Sequence, residues 1–527
     1  MVQETDIINV LSKLKNKKSS GIDQISTKIL KACSVFISKP LVHLVNASLS
    51  SGIFPSNFKI SKVKPLFKGG EKNKMTNYRP IALLPSASKV LEKIVYNQLM
   101  SYLESNNLLF ENQFGFRKNR STKLALINFV EECLNILDNK GIVIGSFADL
   151  SKAFDCVNFP ILIEKLAALG ISGVVLKWIK CYIYNRKQVV EVNHINSFGE
   201  VASVLCQSKT VLNGVPQGSI LGPLLFLVYI NDISDTLNPR EVIVFADDTT
   251  LLTKNKNVKP LEIDTFIKIN SLVNYFEDLS LAVNSNKTKF VTIQSSQHRH
   301  FSNFNSPNLM IGDEFIEEVE VADFLGVKLD QNLNWNQQIC KISNKLASGL
   351  FVLRNIAKFK NIYLSKLIYH SLIESHINYS IVLWGAHSKT HLNKIFALQK
   401  RAIRLIKGLP PRSHCSNSFI ELNIVTVPGL YIYECISYFI EHCFSNRIKL
   451  THVYDTRFKN NRTAIQHNLK LFEEKPSFMG EKFFFKLPKE IKDLYDSENQ
   501  ASLKKFKVSL KLYLIENCFY NIGEFYN

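Results

Sequence analysis

Val242-Ile243-Val244-Phe245 is a short apolar run that breaks, one alanine later, onto two adjacent acids, Asp247 and Asp248, with Thr249 and Thr250 behind them. Such a run reads as a buried β-strand turning into a hairpin whose tip carries the acids. Neighbouring carboxylates repel and partly protonate unless a cation holds them, and a divalent metal turns that cost into binding. Taken alone, the pair is as well explained by turn formation, because Asp is a standard turn residue.

A second acid upstream changes the weighing. Ile142-Val143-Ile144-Gly145-Ser146-Phe147-Ala148 reads as a mostly apolar strand that delivers Asp149 at its end, followed by Leu150-Ser151-Lys152-Ala153-Phe154-Asp155. Two strands could thus bring three carboxylates together. That arrangement holds two Mg²⁺ ions about 3.5 to 4 Å apart for in-line attack on phosphorus.

The stretches Asp149 to Asp155, Gly214-Val215-Pro216-Gln217-Gly218-Ser219-Ile220-Leu221-Gly222-Pro223 and Phe245-Ala246-Asp247-Asp248 resemble, in order, motifs A, B and C of reverse transcriptases. Their wording is similar to that of non-LTR (LINE-type, Jockey-like) retrotransposons. Ser20-Gly21-Ile22-Asp23, Asn77 to Leu84, Gln113-Phe114-Gly115-Phe116-Arg117 with Arg120-Ser121-Thr122, Asn286-Lys287-Thr288-Lys289 and Phe324-Leu325-Gly326 extend the resemblance from about Lys18 to Asp330. Leu398-Gln399-Lys400-Arg401-Ala402 continues it more weakly.

The resemblance implies a right-hand polymerase of α/β class, with a mixed α/β palm, basic fingers, and a mainly helical thumb and C-terminal region. It implies an RNA-directed DNA polymerase that copies an RNA template from a DNA primer or nicked target DNA, using dNTPs and two Mg²⁺ ions, with Mn²⁺ as a substitute. Asp149, Asp247 and the Leu150 carbonyl would bind metal with Asp248 in support, while the primer 3′-hydroxyl attacks the α-phosphate and pyrophosphate leaves. Phe154 stands where the family carries its ribose gate. Gly214, Pro216, Gln217 and Gly218 would meet nucleotide and template, and Phe324-Leu325-Gly326 would be the primer grip. Lys287 is the candidate general acid for pyrophosphate, with Lys289 as its rival.

Relatives in this family usually carry an N-terminal endonuclease, so the sequence reads as a truncated copy or a fragment of a longer reading frame, and no acid cluster of an RNase H is legible. The alternative function is a catalytically idle nucleic-acid-binding relic, against which the retained acids speak. An RNA-copying RNA polymerase is a further rival, against which Phe154 speaks.

Charge points the same way. Lys and Arg number 65 against 45 acids, a net charge of +20, and the cations are spread along the chain, which favours a polyanionic partner over a membrane surface. An apolar share of 46% allows a large core. The ten cysteines are scattered without a CxxC pair, as in reduced intracellular proteins, and His414-Cys415 with Cys435, His442 and Cys443 lacks zinc-ligand spacing. The longest apolar run, Leu224 to Ile230, falls short of the ~20 residues that span a bilayer. An intracellular protein is expected, in nucleus or cytoplasm.

Four regions are expected: a helical extension over 1–50, the polymerase domain over 51–330, a thumb over 331–407 and a helical region of unknown role over 408–527. Between Lys59 and Lys74 apolar and basic residues alternate, which predicts a two-stranded ribbon turning at Gly69-Gly70, with Lys68 and Arg79 placed to grip a triphosphate. A solvated basic hairpin fits the same pattern. Helical spacing is clear over 88–103, 160–169 and 174–184 and in an apolar helix starting near Ser219. Lys400, Arg401 and Arg404 share a helix that either tracks a duplex backbone or is merely solvated. Gly408-Leu409-Pro410-Pro411-Arg412-Ser413 reads as a linker.

Overall fold

The structure is a computed structural model that describes residues 1–195, 199–295, 307–444, 466–496 and 499–527. Its centre is a five-stranded sheet. Strands β3 (Ile142–Ala148), β8 (Val242–Phe245), β9 (Asp248–Asn255), β11 (Lys289–Ile293) and β14 (Glu317–Glu318) lie in the order β14-β11-β3-β9-β8. Side chains alternate across it, as the pleat requires. Ile142, Ile144, Val244 and Leu251 enter a core on one face, while Val143, Ile243, Leu252 and Val291 enter a second core on the other. Burial on both faces explains why these strands read as nearly continuous apolar runs.

The first core holds the N-terminal helices α1 (Glu4–Lys13), α2 (Thr27–Ala32) and α3 (Ser34–Ser51), together with α4 (Ser86–Ser105), α7 (Phe159–Ala168), α8 (Gly173–Ile183) and α9 (Leu221–Tyr229). The Trp178 indole donates to Ser48 Oγ at 2.9 Å. Residues 1–50 are therefore part of this core and not an appendage to it. Every residue of α9 except Pro223 is buried, as a helix apolar on all sides must be.

The second core holds α5 (Thr122–Asp138) and most of the described helices beyond Leu329. Helices α12 (Asn336–Ala357), α13 (Ile362–Tyr369), α14 (Ser375–Asn378), α15 (Ile381–Trp384) and α16 (Lys389–Lys407) are joined there by α17 (Ser416–Leu422), α18 (Val427–Tyr438), α19 (Pro476–Lys486), α20 (Lys489–Lys492) and α21 (Gln500–Asn517). The boundary expected at 407 falls inside it. Ile406 and Cys415 flank the Gly408–Ser413 stretch and are both buried in one cluster, and Arg404 Nε donates across it to the Ser413 carbonyl at 2.8 Å. Among the described residues no single helix is long and apolar enough to cross a membrane.

A two-stranded ribbon is present, but its second strand lies beyond the 59–74 stretch that predicts it, and it differs in two ways. Strands β1 (Ile60–Phe67) and β2 (Tyr78–Leu83) pair antiparallel, but residues 68–77 form a long loop instead of a tight turn at Gly69-Gly70, closed by the Lys68 amide on the Asn77 carbonyl at 2.8 Å. In addition β1 pairs in parallel with β5 (Lys187–Ile195), which carries β6 (Val201–Leu205) and β7 (Lys209–Thr210), so the ribbon belongs to a second five-stranded sheet.

Candidate active site

Phe245 of β8 pairs with Asp248 of β9, leaving Ala246 and Asp247 as a two-residue turn. Such turns match the twist of the flanking strands when the first central residue takes positive φ, and Ala246 does so at φ 59. β3 pairs with β9 up to Ala148 opposite Thr249, and Asp149 is the next residue beyond that pair. The sheet register alone thus brings Asp149 beside the hairpin tip. A slip of one residue would turn the acids to the opposite faces.

The charge of Asp149 is felt at both acids of the tip. Burial raises the Asp248 carboxyl to about 6, and the charges of Asp247 and Asp149 add to the rise. Burial also raises Asp247, with Asp149 adding to the shift and Arg79 opposing it. Lys287 Nζ stands 3.3 Å from Asp149 Oδ2, and the Asp149 carbonyl accepts the Asn284 amide at 2.8 Å, next to the pairing of β10 (Ala282–Val283) with β4 (Leu150–Ser151). Leu150, whose carbonyl is the expected metal ligand, lies in that pairing opposite Val283. The rival Lys289 points elsewhere, 2.7 Å from Glu317.

Among the described residues no group of three or more His, Cys, Asp or Glu side chains is arranged to hold an ion by itself. Mg²⁺ is commonly held by one or two carboxylates with substrate phosphates completing its shell, and not by a protein cage. Hard oxygen donors such as Asp247 and Asp248, whose pKa values are raised by burial and by neighbouring negative charge, fit an ion that arrives with a nucleotide.

The stretch 214–218 packs on this centre. The Val215 amide donates to the Phe154 carbonyl and the Gly214 amide to the Val157 carbonyl, each at 2.8 Å, while the Pro216 carbonyl accepts Ser219 Oγ at 2.9 Å. Gln217 Nε2 donates to Asp155 Oδ1 at 2.8 Å. Burial raises Asp155, against the Gln217 hydrogen bond and the charges of Lys152 and Lys68. The two glycines serve the protein's own backbone: a side chain on Gly218 would meet the Ala82 carbonyl at 2.4 Å, and one on Gly214 the Asp155 carbonyl at 2.6 Å. Their missing side chains bind this loop to β2 and to α6 (Ala153–Cys156). The close approach of their own backbone accounts for both glycines without the contact to nucleotide and template that the resemblance implies.

Phe154 stacks on Phe226 of α9 at 4.5 Å between ring centroids and meets the edge of Phe116 at 6.2 Å. Lys68 and Arg79 lie exposed at the two ends of the 68–77 loop, within electrostatic reach of Asp155 and Asp247 respectively. Phe324 ends β15 (Val321–Phe324) and Leu325-Gly326 turn into β16 (Val327–Asp330). The Phe324 ring is buried 5.2 Å from both Phe129 and Phe147, the Leu325 carbonyl accepts the Tyr379 hydroxyl, and the Gly326 carbonyl accepts Lys341 Nζ at 2.9 Å. This hairpin joins the central sheet to the helices beyond it.

Lys400, Arg401 and Arg404 are not gathered with the other residues. Lys400 Nζ lies over the rings of Phe396 and Tyr520, and Arg404 donates to the Ser413 carbonyl, so two of the three cations tie α16 to segments that follow it and, of the three, only Arg401 is exposed. Two buried residues escape sequence reasoning. Glu92 accepts the Ile220 amide at 2.7 Å at the start of α9, and Gln113 reaches the hairpin turn. Each is a polar residue in a mixed context that reads as surface; the sole signal is Gln113's place inside the Gln-Phe-Gly-Phe-Arg stretch.

Residues 69–329 match the reverse transcriptase (RNA-dependent DNA polymerase) family. The chain is 26% identical over 416 residues to the RNA-directed DNA polymerase from mobile element jockey of Drosophila melanogaster, covering 77% of this chain and 44% of that protein. It is 27% identical over 423 residues to the jockey polymerase of Drosophila funebris, covering 77% and 44%. It is 24% identical over 387 residues to the retrovirus-related Pol polyprotein from type-1 retrotransposable element R1 of Bradysia coprophila, covering 72% and 37%. The chain therefore spans less than half the length of these curated relatives. Residues 69–329, with their mixed α/β sheet carrying the paired acids on a strand hairpin, thus form a reverse transcriptase domain, and the chain around it is similar to the polymerases of non-LTR retrotransposons.

Proposed function

We propose that the chain synthesises DNA on an RNA template, adding dNTPs to a primer 3′-end. The observation that carries this reading is the sheet register that puts Asp149, just past the end of β3, beside the hairpin tip bearing Asp247 and Asp248, with Lys287 on Asp149 and the charge of Arg79 acting on Asp247. Asp149, Asp247 and the Leu150 carbonyl would hold two divalent ions, Mg²⁺ or Mn²⁺, with Asp248 in support. Bound ions of this kind activate the attacking hydroxyl and stabilise the leaving oxygen.

The chain's own residues do the rest. Lys68 and Arg79 neutralise the triphosphate from the β1–β2 side, and Gln217 and Gly218 border the nucleotide. Phe154, pinned on Phe226, closes the space that a ribose 2′-hydroxyl needs. Lys287 donates a proton to the departing pyrophosphate. Gly214 and Pro216 hold the loop that faces the template, and the Phe324-Leu325-Gly326 hairpin positions the primer without reading its sequence.

The test is primer extension on an RNA template, comparing dNTPs with rNTPs, alongside Asp149→Asn and Asp247→Asn. Loss of one electrostatic stabiliser lowers such rates by about 10²–10³-fold. Primer–template affinity, set by phosphate contacts, should stay within a few-fold. Near-parent extension by either variant sinks the assignment.

A further inference from the structure

Gln113 lies on none of the strands that carry the acids, yet its side chain reaches them. Residues 112–115 run along the outer edge of β8, where the Phe114 amide donates to the Val244 carbonyl at 2.7 Å and the Val244 amide to the Asn112 carbonyl at 2.9 Å. This leaves the Gln113 carboxamide buried, 4% exposed, beside the hairpin turn. Its Oε1 accepts the Gly115 amide at 2.8 Å and the Ala246 amide at 3.0 Å.

Ala246 is the turn residue at φ 59, a region that residues with a Cβ occupy only when their surroundings hold them there. It is 5% exposed, so without the Gln113 oxygen its N–H would be buried unpaired. The approach is close from the other side too: a side chain on Gly115 would come within 2.4 Å of the Ala246 nitrogen. Main-chain bonds to Val244 already fasten 112–115 to the sheet, so the bond to Ala246 is not needed for that attachment. Asp247 and Asp248 follow immediately.

We infer that Gln113 is a positioning residue for catalysis, its carboxamide oxygen locking Ala246 in the left-handed turn and thereby fixing where Asp247 and Asp248 point. This rests on the polymerase reading above.

The test uses the full chain with Gln113→Leu, Gln113→Glu, the double variant Gln113→Leu with Ala246→Gly, and Asp247→Asn as control. A buried Glu is held neutral and keeps a carbonyl acceptor in place. Gly at 246 adopts positive φ freely. Gln113→Leu is expected to lower kcat by up to about 10²-fold, the scale of a small misplacement of catalytic groups. It should weaken Mn²⁺ binding followed by paramagnetic resonance and speed amide exchange over 244–248, with metal-free primer–template affinity within a few-fold of the parent. Gln113→Glu should recover most of the loss and Ala246→Gly part of it. If Gln113→Leu does not fold, Gln113→Asn, whose shorter amide cannot reach Ala246, replaces it with the same expectations. Parent-like Mn²⁺ affinity and exchange in the Leu or Asn variant overturns the inference, as does a Glu variant as impaired as the Leu one. Should Asp247→Asn keep extending primers, the polymerase reading of the site fails; should it be inactive while the Gln113 variants match the parent, only this inference does.

Discussion

Lys287 Nζ stands 3.3 Å from Asp149 Oδ2 with the lysine side chain 69% exposed. A pair so open to water contributes at most about 1 kcal/mol, so the ammonium is free to leave the carboxylate for a phosphate. Lys289, two residues on, is paired with Glu317. Lys287→Met should lower kcat by about 10²–10⁴-fold in single-nucleotide extension, with little change in KM for primer–template, whereas Lys289→Met should extend at the parent rate. Equal losses at both positions would show a general charge effect in place of proton donation.

Phe154 is held between the face of Phe226 and the edge of Phe116, so its ring has little freedom to step aside for a larger sugar. Phe154→Ala should raise the ratio of rNTP to dNTP kcat/KM by roughly one to two orders of magnitude, the range open to a steric pocket. An unchanged ratio places the gate elsewhere.

Salt dependence separates two surfaces. Lys400 and Arg404 are engaged within the fold, while Arg354, Lys358 and Lys360 are exposed on α12 and just after it, beside exposed Phe351, Phe359 and Tyr363. Removing one cation from a DNA phosphate flattens the slope of log K against log salt by about 0.7 to 0.9. Neutralising Arg354, Lys358 and Lys360 together should flatten it by about 2, and neutralising Lys400 with Arg404 by less than about 1. The opposite order would return the duplex path to α16.

His387 Nδ1 lies 2.9 Å from Glu474 Oε2, and this hydrogen bond, aided by the charges of Glu474 and Asp330 and opposed by burial, raises the histidine pKa. The nearby His391 ring is itself held down by burial and by His387. The stabilisation is then complete below the unfolded value of about 6.5 and is lost as pH rises through the raised folded value. The stability difference between the parent and His387→Gln, followed by urea unfolding from slightly below that unfolded value to about two pH units above it, should shrink with rising pH. A constant difference would mean that the pair does not titrate.

Glu92 is wholly buried, and its carboxylate accepts the Ile220 and Leu221 amides at 2.7 and 3.4 Å, satisfying the first turn of α9. Burial raises its pKa against the charge of Arg186 and these amides. Glu92→Ala should destabilise by about 1–3 kcal/mol for each amide left unpaired, and Glu92→Gln, which keeps an acceptor, by clearly less. Similar losses in the two variants would show that the charge, and not the cap, matters.

What could be read from the chain alone follows from locality. β3 and the β8–β9 hairpin were legible because apolar runs ending in acids specify strand, turn and orientation over a few residues, and the sheet register then had to bring Asp149 to Asp248. The partner of β1 was not legible, because β5 lies more than a hundred residues away and parallel pairing leaves no turn in the sequence to announce it. The roles of Gln113 and Glu92 were not legible for a different reason: a buried polar side chain is justified by the backbone groups it satisfies, and those belong largely to other parts of the chain. The Gly408–Ser413 stretch carries every local mark of a linker and is itself largely exposed, but the apolar faces of α16, α17 and α18 on either side of it share one core.

That shared core has a practical corollary for anyone who cuts the chain. A protease that nicks the Gly408–Ser413 stretch should leave two fragments that travel together in gel filtration, because Phe396, Phe419 and Tyr520 from both sides of the nick pack ring against ring. Trimming everything after Lys407 would strip the cover from α16 and from the palm-side helix α5, so the shortened protein should aggregate instead of behaving as a minimal polymerase.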